Sequence, residues 1–392
     1  MIFRMLIPFI LMLALPDLYI YLQYIRHAVS KPVYGVLWWL PTVILTVWMT
    51  VAFVGQFQHA SFMKYFFGAM LCFSIPKILF MLCSLLGKLI HAIGVKSQFS
   101  TVPLDYVGMF LGGVVFCVLV YGSFWGWKHL TLREVTYESP DLPAAFDGYR
   151  IAHFTDMHIG TQAGNTPLIQ KAAQFINDQK ADIICFTGDL VNSDPDELEP
   201  DFIKALSSLQ APDGVYSVMG NHDYSMYGRH TDKRQQAEAV KRLQDTERDK
   251  LHWNLLLNEH RIIRRGNDSI AILGVENDGN PPFPQYGDLP KTLKGISKGC
   301  FQVLLSHDPT HWRRRVLPET DVNLMLSGHT HATQFKLGGF SPSRFVYKEW
   351  DGKFDQGNRS LFVSSGLGAV MFPFRFGAWP EVVVITLKKS AK

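Results

Sequence analysis

Five short clusters of carboxylate, imidazole and carboxamide side chains lie between Asp156 and His331 of this 392-residue chain. They offer nitrogen and oxygen donors and no thiolate, a set that suits Mn²⁺, Fe or Zn²⁺ better than soft Cu(I). The donors are numerous enough for two divalent ions that share one carboxylate. The clusters are Asp156-Met157-His158, Gly188-Asp189-Leu190-Val191-Asn192, Gly220-Asn221-His222-Asp223, Ser306-His307-Asp308 and Gly328-His329-Thr330-His331.

Each cluster directly follows a short apolar run that predicts a buried strand. Open α/β folds place their functional groups at the carboxyl ends of strands, so we expect the five clusters to meet. One Asp-x-His is usually a turn, whereas five clusters in register with strands indicate a metal site. The predicted strands are Ile151 to Phe154, Ile183 to Thr187, Val215 to Met219, Ile270 to Val275, Phe301 to Ser306 and Val322 to Ser327.

Helical patterns alternate with the first three strands, and this βαβ rhythm predicts an α/β core. Helices are predicted over Thr166 to Asp178 and Asp201 to Leu209, with a longer polar helix over Gln235 to Arg248. Two later β-like runs, Leu361 to Ser364 and Val382 to Leu387, predict a second sheet.

The five clusters resemble, in type and order, the motifs of the calcineurin-like metallophosphoesterase superfamily: D-x-H, G-D-x-x-N, G-N-H-D, a later His and G-H-x-H. The resemblance covers about Tyr149 to Leu387 and implies an αββα sandwich, two β-sheets flanked by helices. Ser364 to Gly368 and Phe372 to Gly377 resemble the membrane-associated branch of the superfamily, which includes enzymes similar to UDP-2,3-diacylglucosamine pyrophosphatase.

The resemblance also implies a role for each residue. Asp189 would bridge two divalent metal ions, and His222 would act beside the phosphate as proton donor or charge stabiliser without binding metal. Asp223 would either orient His222 or only stabilise its own turn. Asn192 would either support the site through hydrogen bonds or likewise only stabilise its own turn. The other metal ligands would be Asp156, His158 and His331 for the first ion, and Asn221, His307 and His329 for the second.

Three residues around these motifs raise further expectations. Close relatives often read G-H-T-H-G-G-Q, whereas here Ala332 and Thr333 replace the two glycines. We expect their side chains to narrow substrate access. Arg375, set among aromatic residues, either holds a phosphate or lipid head group, or lies on the surface of a packed sheet.

The first third of the chain is apolar enough to span a membrane four times. Each segment reaches the ~20 residues that a helix needs to cross ~30 Å of hydrocarbon, and each is apolar all round, unlike a soluble bundle helix. Four Lys and Arg residues lie near the segment ends on each side of the predicted membrane. The positive-inside rule therefore does not decide on which side of the membrane the catalytic part lies. The segments are Phe3 to Ile25, Tyr34 to Val54, Tyr65 to Leu89 and Tyr106 to Trp127.

Two charged residues lie inside these segments, Asp17 in the first and Lys77 in the third. With four spans the first and third helices run in the same direction. The two side chains therefore either meet as an ion pair, or reach polar surroundings separately.

Charge and cysteine usage exclude other classes of protein. The part up to Trp127 holds 7 of the 38 basic and only 2 of the 34 acidic residues, so the basic balance belongs to the membrane segments. The remainder carries no Lys/Arg stripe, and we expect no nucleic-acid partner. The five cysteines have neither zinc-site nor disulfide-framework spacing.

These inferences combine into a multi-pass protein of the cell membrane: a transmembrane helical region over residues 1–127, a linker over 128–148 and a metallophosphoesterase domain over 149–392. We expect it to hydrolyse a phosphodiester or pyrophosphate bond in a small-molecule or lipid-linked substrate, by in-line attack of a metal-bridging hydroxide. The alternatives are a phosphomonoesterase, including a protein phosphatase, and a non-catalytic metal-binding membrane scaffold. A further alternative makes the helical region the main function and the phosphoesterase its regulator.

Overall fold

The computed structural model describes residues 2–54, 60–93, 102–228, 230 and 232–391. The chain forms two compact units. The helical unit comprises Met1–Trp125 with Met371–Phe374, and the α/β unit comprises Gly126–Val370 with Arg375–Lys392.

Four long helices form the helical unit, and each contains a stretch long and apolar enough to cross a membrane. The first helix continues through a π-helical turn, Tyr21–Ile25, into Arg26–Ala28. The four predicted segments are thereby confirmed as helices. They are α1 (Ile2–Ile20), α2 (Pro32–Val54), α3 (Ala60–Ala92) and α4 (Val102–Phe124).

Asp17 and Lys77 form an ion pair inside the helical unit, with Lys77 Nζ 2.6 Å from Asp17 Oδ1. The carboxylate is fully buried and also accepts a hydrogen bond from the Thr42 hydroxyl. The Lys77 ammonium lies 5.0 Å from the centre of the Trp38 ring, a cation–π distance. The pairing alternative is confirmed, and the pair offsets the cost of each charge in an apolar setting.

Two six-stranded sheets make up the α/β unit, in the orders β1-β12-β2-β3-β4-β5 and β10-β11-β9-β8-β7-β6. Within each sheet, all neighbouring strands are parallel except β12–β2, β10–β11 and β6–β7. The strands are β1 (Thr131–Ser139), β2 (Arg150–Phe154), β3 (Ile183–Phe186), β4 (Val215–Ser217), β5 (Asn254–Leu255), β6 (Glu259–Arg265), β7 (Asp268–Gly274), β8 (Phe301–Leu305), β9 (Leu324–Ser327), β10 (Gly352–Gln356), β11 (Arg359–Val363) and β12 (Glu381–Lys389).

Successive apolar side chains of a strand pack on opposite faces of its sheet. In β3, Ile183 packs in the cluster that joins the two sheets, while Ile184 packs with the helices on the outer face. Because successive strand residues point to opposite faces, a sheet buried on both faces needs a continuous apolar run. The α-helices of this unit that are longer than three residues are α5 (Thr166–Asn177), α6 (Pro200–Leu206), α7 (Lys233–Asp245) and α8 (Leu289–Leu293).

The linker expected over 128–148 is wrong in its central part, because Thr131–Ser139 forms β1. This strand pairs in parallel with β12 over its whole length. Its inward positions include Arg133, which pairs with Asp351 and Glu381. A charged residue at an inward position interrupts the apolar run by which a buried strand is predicted from sequence.

Candidate metal centre

All five sequence clusters meet in the structure. They lie in the loops that follow β2, β3, β4, β8 and β9, at the carboxyl ends of these strands. The parallel arrangement of β2 with β3 and β4, and of β8 with β9, places these ends side by side. The strands therefore position the side chains that the sequence singled out.

The first donor cluster contains Asp156, His158 and His331. His331 Nε2 lies 3.0 Å from His158 Nε2 and 3.2 Å from Asp156 Oδ1. His158 Nε2 also lies 3.6 Å from Asp189 Oδ2. All four side chains are buried, so water does not screen the charges that meet here.

The second donor cluster contains Asn221, His307 and His329. His307 Nε2 lies 3.1 Å from Asp189 Oδ2 and 3.3 Å from His329 Nδ1. His329 Nδ1 lies 2.9 Å from Asn221 Oδ1. The same oxygen, Asp189 Oδ2, thus faces both clusters, in the position of a carboxylate shared between two ions.

The spacing of the donor atoms fits metal binding. Around an ion with bonds of ~2.1 Å, neighbouring donors lie roughly 3.0–3.4 Å apart. In the clusters these separations run from 2.9 Å for His329 and Asn221 to 3.9 Å for His158 and Asp156. Two buried imidazole nitrogens 3.0 Å apart, as in His158 and His331, are well placed to share a cation.

The backbone is held in an unfavourable conformation at five of the proposed ligands. Left-handed backbone costs a non-glycine residue roughly 1–2 kcal/mol and persists only where the surroundings enforce it. Such strain concentrates at functional sites. Positive φ angles, from 43° to 72°, occur at Asp156, His158, Asp189, His329 and His331.

Hydrogen bonds at the far side of two imidazole rings select the nitrogen that faces the donor clusters. His307 Nδ1 lies 2.7 Å from the carbonyl oxygen of Thr187, to which it donates, and this leaves Nε2 free. His329 turns the other way, with Nε2 3.0 Å from the Tyr347 hydroxyl and 3.5 Å from Asp308 Oδ2. Such outer contacts commonly orient metal-binding histidines.

The electrostatics of the site favour the metal-binding protonation state at four of the proposed ligands and oppose it at His307. At His307 burial alone would lower the pKa, but the charge of Asp189 outweighs it and raises the pKa to about 10, so a metal ion must displace a proton there. Burial alone would raise the pKa of Asp156 and of Asp189, but nearby histidines outweigh it and hold both pKa values below their usual range. Burial lowers the pKa of His158 and of His329. Ionised carboxylates and neutral imidazoles are the forms that act as ligands.

His222 lies next to the shared carboxylate. Its Nδ1 lies 2.6 Å from the carbonyl oxygen of Asn192, so the ring donates there and leaves Nε2 free. A ring nitrogen of His222 is within 4.8 Å of donor atoms of His158 and Asp189. The Asn192 side chain exchanges two hydrogen bonds with Thr161, which fixes the loop that orients His222.

Asp223 does not orient His222 as one alternative expected. Its Oδ2 accepts the backbone N–H groups of Gly220 and Asp189, at 2.8 and 2.7 Å. Its Oδ1 accepts those of Leu190 and Val191, at 2.8 and 3.2 Å. Asp223 is therefore a buried positioning residue that ties the loop after β3 to the loop after β4.

Both expectations for Arg375 are wrong, because its side chain is fully buried. Its guanidinium donates to the carbonyl oxygens of Gly368, Ala378 and Ser365, each within 2.8 Å. Its Nη2 also lies 3.3 Å from His331 Nδ1. Arg375 thus packs behind a proposed ligand and supports the loops around it.

The two residues that replace glycine adopt the backbone that glycine favours. Ala332 and Thr333 both have φ of 48°. The Ala332 side chain is buried, whereas Thr333 is exposed and its hydroxyl lies 3.0 Å from Ser341 Oγ. Thr333 therefore links the metal-binding loop to the segment that follows it.

Three aromatic residues at the site carry no sequence motif. Asn221 Nδ2 donates to the Tyr227 hydroxyl at 3.2 Å, which leaves Oδ1 of Asn221 for the second cluster. Phe283 packs edge-on against His329 at 4.6 Å between ring centres, and Tyr347 contacts the same histidine. Tyr227 and Tyr347 lie outside the five clusters, so no local pattern marks them.

Comparison with known proteins bears on both units. Residues 3–127 match the family described as "Probable Calcineurin-like phosphoesterase, transmembrane domain", and residues 149–333 match "Calcineurin-like phosphoesterase". The uncharacterized metallophosphoesterase YkuE of Bacillus subtilis (strain 168) is 31% identical over 300 residues, which cover 72% of this chain and 96% of that protein.

More distant relatives also match. The bovine (Bos taurus) transmembrane protein with metallophosphoesterase domain is 27% identical over 64% of this chain, and the match covers about half of its own length, 55%. The structure of Haemophilus influenzae NAD nucleotidase (NadN) is 15% identical with a TM-score of 0.37, over 56% of this chain and 46% of that one, and this likeness carries no inference. Together with its four apolar helices, the matches to the family models and to YkuE show that this multi-pass membrane protein belongs to the calcineurin-like metallophosphoesterases, a family of metal-dependent phosphoric ester hydrolases.

Proposed function

We propose that this protein is a membrane-anchored dinuclear-metal phosphoesterase that hydrolyses a phosphodiester or pyrophosphate bond. The observation that carries the proposal is the position of Asp189 Oδ2, which lies 3.6 Å from His158 Nε2 and 3.1 Å from His307 Nε2. One buried carboxylate between two sets of nitrogen and oxygen donors is the arrangement that holds two divalent ions a few ångströms apart.

Two such ions, when bound, supply Lewis-acid stabilisation of the phosphate charge and lower the pKa of a water between them. Asp156, His158 and His331 would hold the first, and Asn221, His307 and His329 the second, with Asp189 shared. Nitrogen and oxygen donors of this kind suit Mn²⁺, Fe or Zn²⁺.

His222 is the residue we assign to proton transfer. Its Nδ1 is held on the Asn192 carbonyl, so its ring is fixed with Nε2 free for the substrate. A protonated Nε2 would donate to the oxygen of the leaving group, which a diester requires for departure as an alcohol. A histidine fixed from behind pays little orientational entropy during the reaction.

The test is hydrolysis by the full chain in detergent, with bis-p-nitrophenyl phosphate as the diester and p-nitrophenyl phosphate as the monoester, each with and without Mn²⁺. Asp189→Asn should abolish turnover because it weakens both donor clusters. Asp288→Asn is the matched control, since Asp288 is exposed and only caps α8 through Lys291 N.

Metal-dependent cleavage of the diester that is lost in Asp189→Asn supports the proposal. Cleavage of the monoester alone would replace it with a phosphomonoesterase. Failure to cleave either compound, by protein that binds two metal equivalents, would contradict the proposed activity on simple esters.

A further inference from the structure

Four large apolar side chains cluster on the surface of the α/β unit, just after the loop that carries His329 and His331. They are Leu337, Phe340, Phe345 and Val346, and we call them the apolar lip. Phe345 and Val346 are 77% and 73% exposed. Leu337 and Phe340 form backbone hydrogen bonds with each other, and the ring centres of Phe340 and Phe345 are 5.9 Å apart. A contiguous exposed apolar patch usually marks an interaction surface.

The segment under the apolar lip is fixed firmly to the metal-binding loop. Ser341 and Ser343 are fully buried. Ser341 Oγ donates to the carbonyl oxygen of Ala332 at 2.7 Å, and it also contacts Thr333 Oγ1 at 3.0 Å. The side chains above them are therefore exposed on a rigid support rather than on a loose loop.

The apolar lip is also next to the proposed reaction site. Tyr347 follows Val346 directly, and its hydroxyl lies 3.0 Å from His329 Nε2. Tyr347 thus connects the apolar lip to His329, a proposed ligand of the second donor cluster.

The charge around the apolar lip selects its partner. The stretch from Lys336 to Lys348 contains three basic residues and no acidic one. Arg344 and Lys348 are exposed, and neither forms an ion pair within the part of the chain that the structure describes. Apolar side chains beside free cations suit the interface of a bilayer with anionic head groups.

A short connection joins the last apolar helix to the unit that carries the apolar lip. Helix α4 ends at Phe124 and β1 begins at Thr131. At ~3.5 Å per residue, this connection limits the start of β1 to about 25 Å from the end of α4. This bound applies to the start of β1, so the unit that carries the apolar lip is tethered by a short segment to a helix of membrane-spanning length.

We propose that the apolar lip inserts into the lipid interface and that the substrate is a phosphoester of a membrane lipid, drawn from the bilayer with its phosphate toward His329. This inference rests on the proposed function and names its substrate class. Insertion of aromatic and aliphatic side chains beside the site lets a lipid move its head group only a short distance, while its acyl chains stay in apolar surroundings.

Photolabelling tests the location of the lip independently of activity. The full chain is placed in nanodiscs of phosphatidylcholine and phosphatidylglycerol that contain a lipid with a diazirine in its acyl chain. Peptides covering Leu337 to Val346 should be labelled in addition to the four helices. Labelling of the helices without labelling of this segment would overturn the proposal and favour a protein partner for the lip.

Two substrates with the same leaving group test the role of the lip in turnover. The double variant Phe345→Ser/Val346→Ser should lower the ratio of kcat/KM for a diacyl phosphatidyl-p-nitrophenol in nanodiscs to that for soluble bis-p-nitrophenyl phosphate by about tenfold or more. Ile262→Ser is the matched control, because Ile262 is an exposed apolar residue on β6, and the ratio should not change.

The outcomes separate this inference from the proposed function. An unchanged ratio in the double variant would overturn the role of the lip even if both substrates are cleaved. Loss of cleavage of both substrates by the parent would count against the proposed function, while the photolabelling result would still decide whether the lip contacts lipid.

Discussion

Replacing Asp223 with asparagine should loosen the loop that carries Asp189 and weaken metal binding, although Asp223 belongs to neither donor cluster. Its two oxygens accept the backbone N–H groups of Gly220 and Asp189 on one side and of Leu190 and Val191 on the other. Asparagine puts an NH₂ group in place of one oxygen, and this group faces two buried N–H donors.

The cost can be worked from these contacts. Each buried N–H left without an acceptor costs about 1–3 kcal/mol, so the two orphaned donors lower the free energy of unfolding by about 2–6 kcal/mol. This corresponds to a fall in Tm of roughly 5–20 °C for a unit of this size. Burial and the charge of Asp189 raise the pKa of Asp223 to about 7, so we would measure at pH 8, where the carboxylate is ionised.

Thermal unfolding of the full chain in detergent, with and without Mn²⁺, is the assay, together with metal content by mass spectrometry. Asp232→Asn is the matched control, since Asp232 caps α7 through Gln235 N and asparagine caps a helix equally well. If Asp223→Asn unfolds within about 2 °C of the parent and keeps its full metal content, the positioning role is refuted.

Substitutions at three further places test other parts of the molecule. His222→Ala should lower kcat by about 10²–10⁴-fold with both metals retained, and loss of metal would indicate a ligand instead. Burial and Asp223 raise the pKa of Glu247 from 4.5 to about 8, so the parent loses stability as pH rises across that window. The Tm of Glu247→Gln minus that of the parent should therefore be larger at pH 8 than at pH 5. An equal Tm difference at the two pH values would contradict this. Asp17→Asn and Lys77→Met should each lower the membrane yield of folded protein, and a double variant no better than either would argue against a coupled pair.

Most strands of the α/β unit could be predicted because a strand buried on both faces is a continuous apolar run, as in Ile183–Phe186. The sequence patterns missed four strands, β1, β5, β6 and β10. Strand β1 contains charged residues and is a strand because it pairs with β12, far along the chain. Strands β6 and β10 have exposed residues and lie at the edges of the second sheet.

The proposed site could be predicted to the level of residues but not of contacts. Residues that are close in sequence, such as Asp156 and His158, can be identified from a local motif. Asp223 looked like a partner for His222 because the two are adjacent in sequence, yet its carboxylate bonds to backbone amides around Asp189. Arg375 looked exposed or ligand-binding among aromatics, yet it is buried behind His331.

Local sequence patterns were enough to identify the available chemistry: which donors exist, that they follow strands, and that apolar helices of membrane length precede them. These properties are local, because they depend on residue type and on periodicity over a few positions. Three further facts required the folded chain: one oxygen of Asp189 faces both donor clusters, Tyr347 contacts His329, and the side chains of the apolar lip are exposed. Those facts are distances between side chains far apart in sequence, and only the packing of the two sheets and their loops sets them.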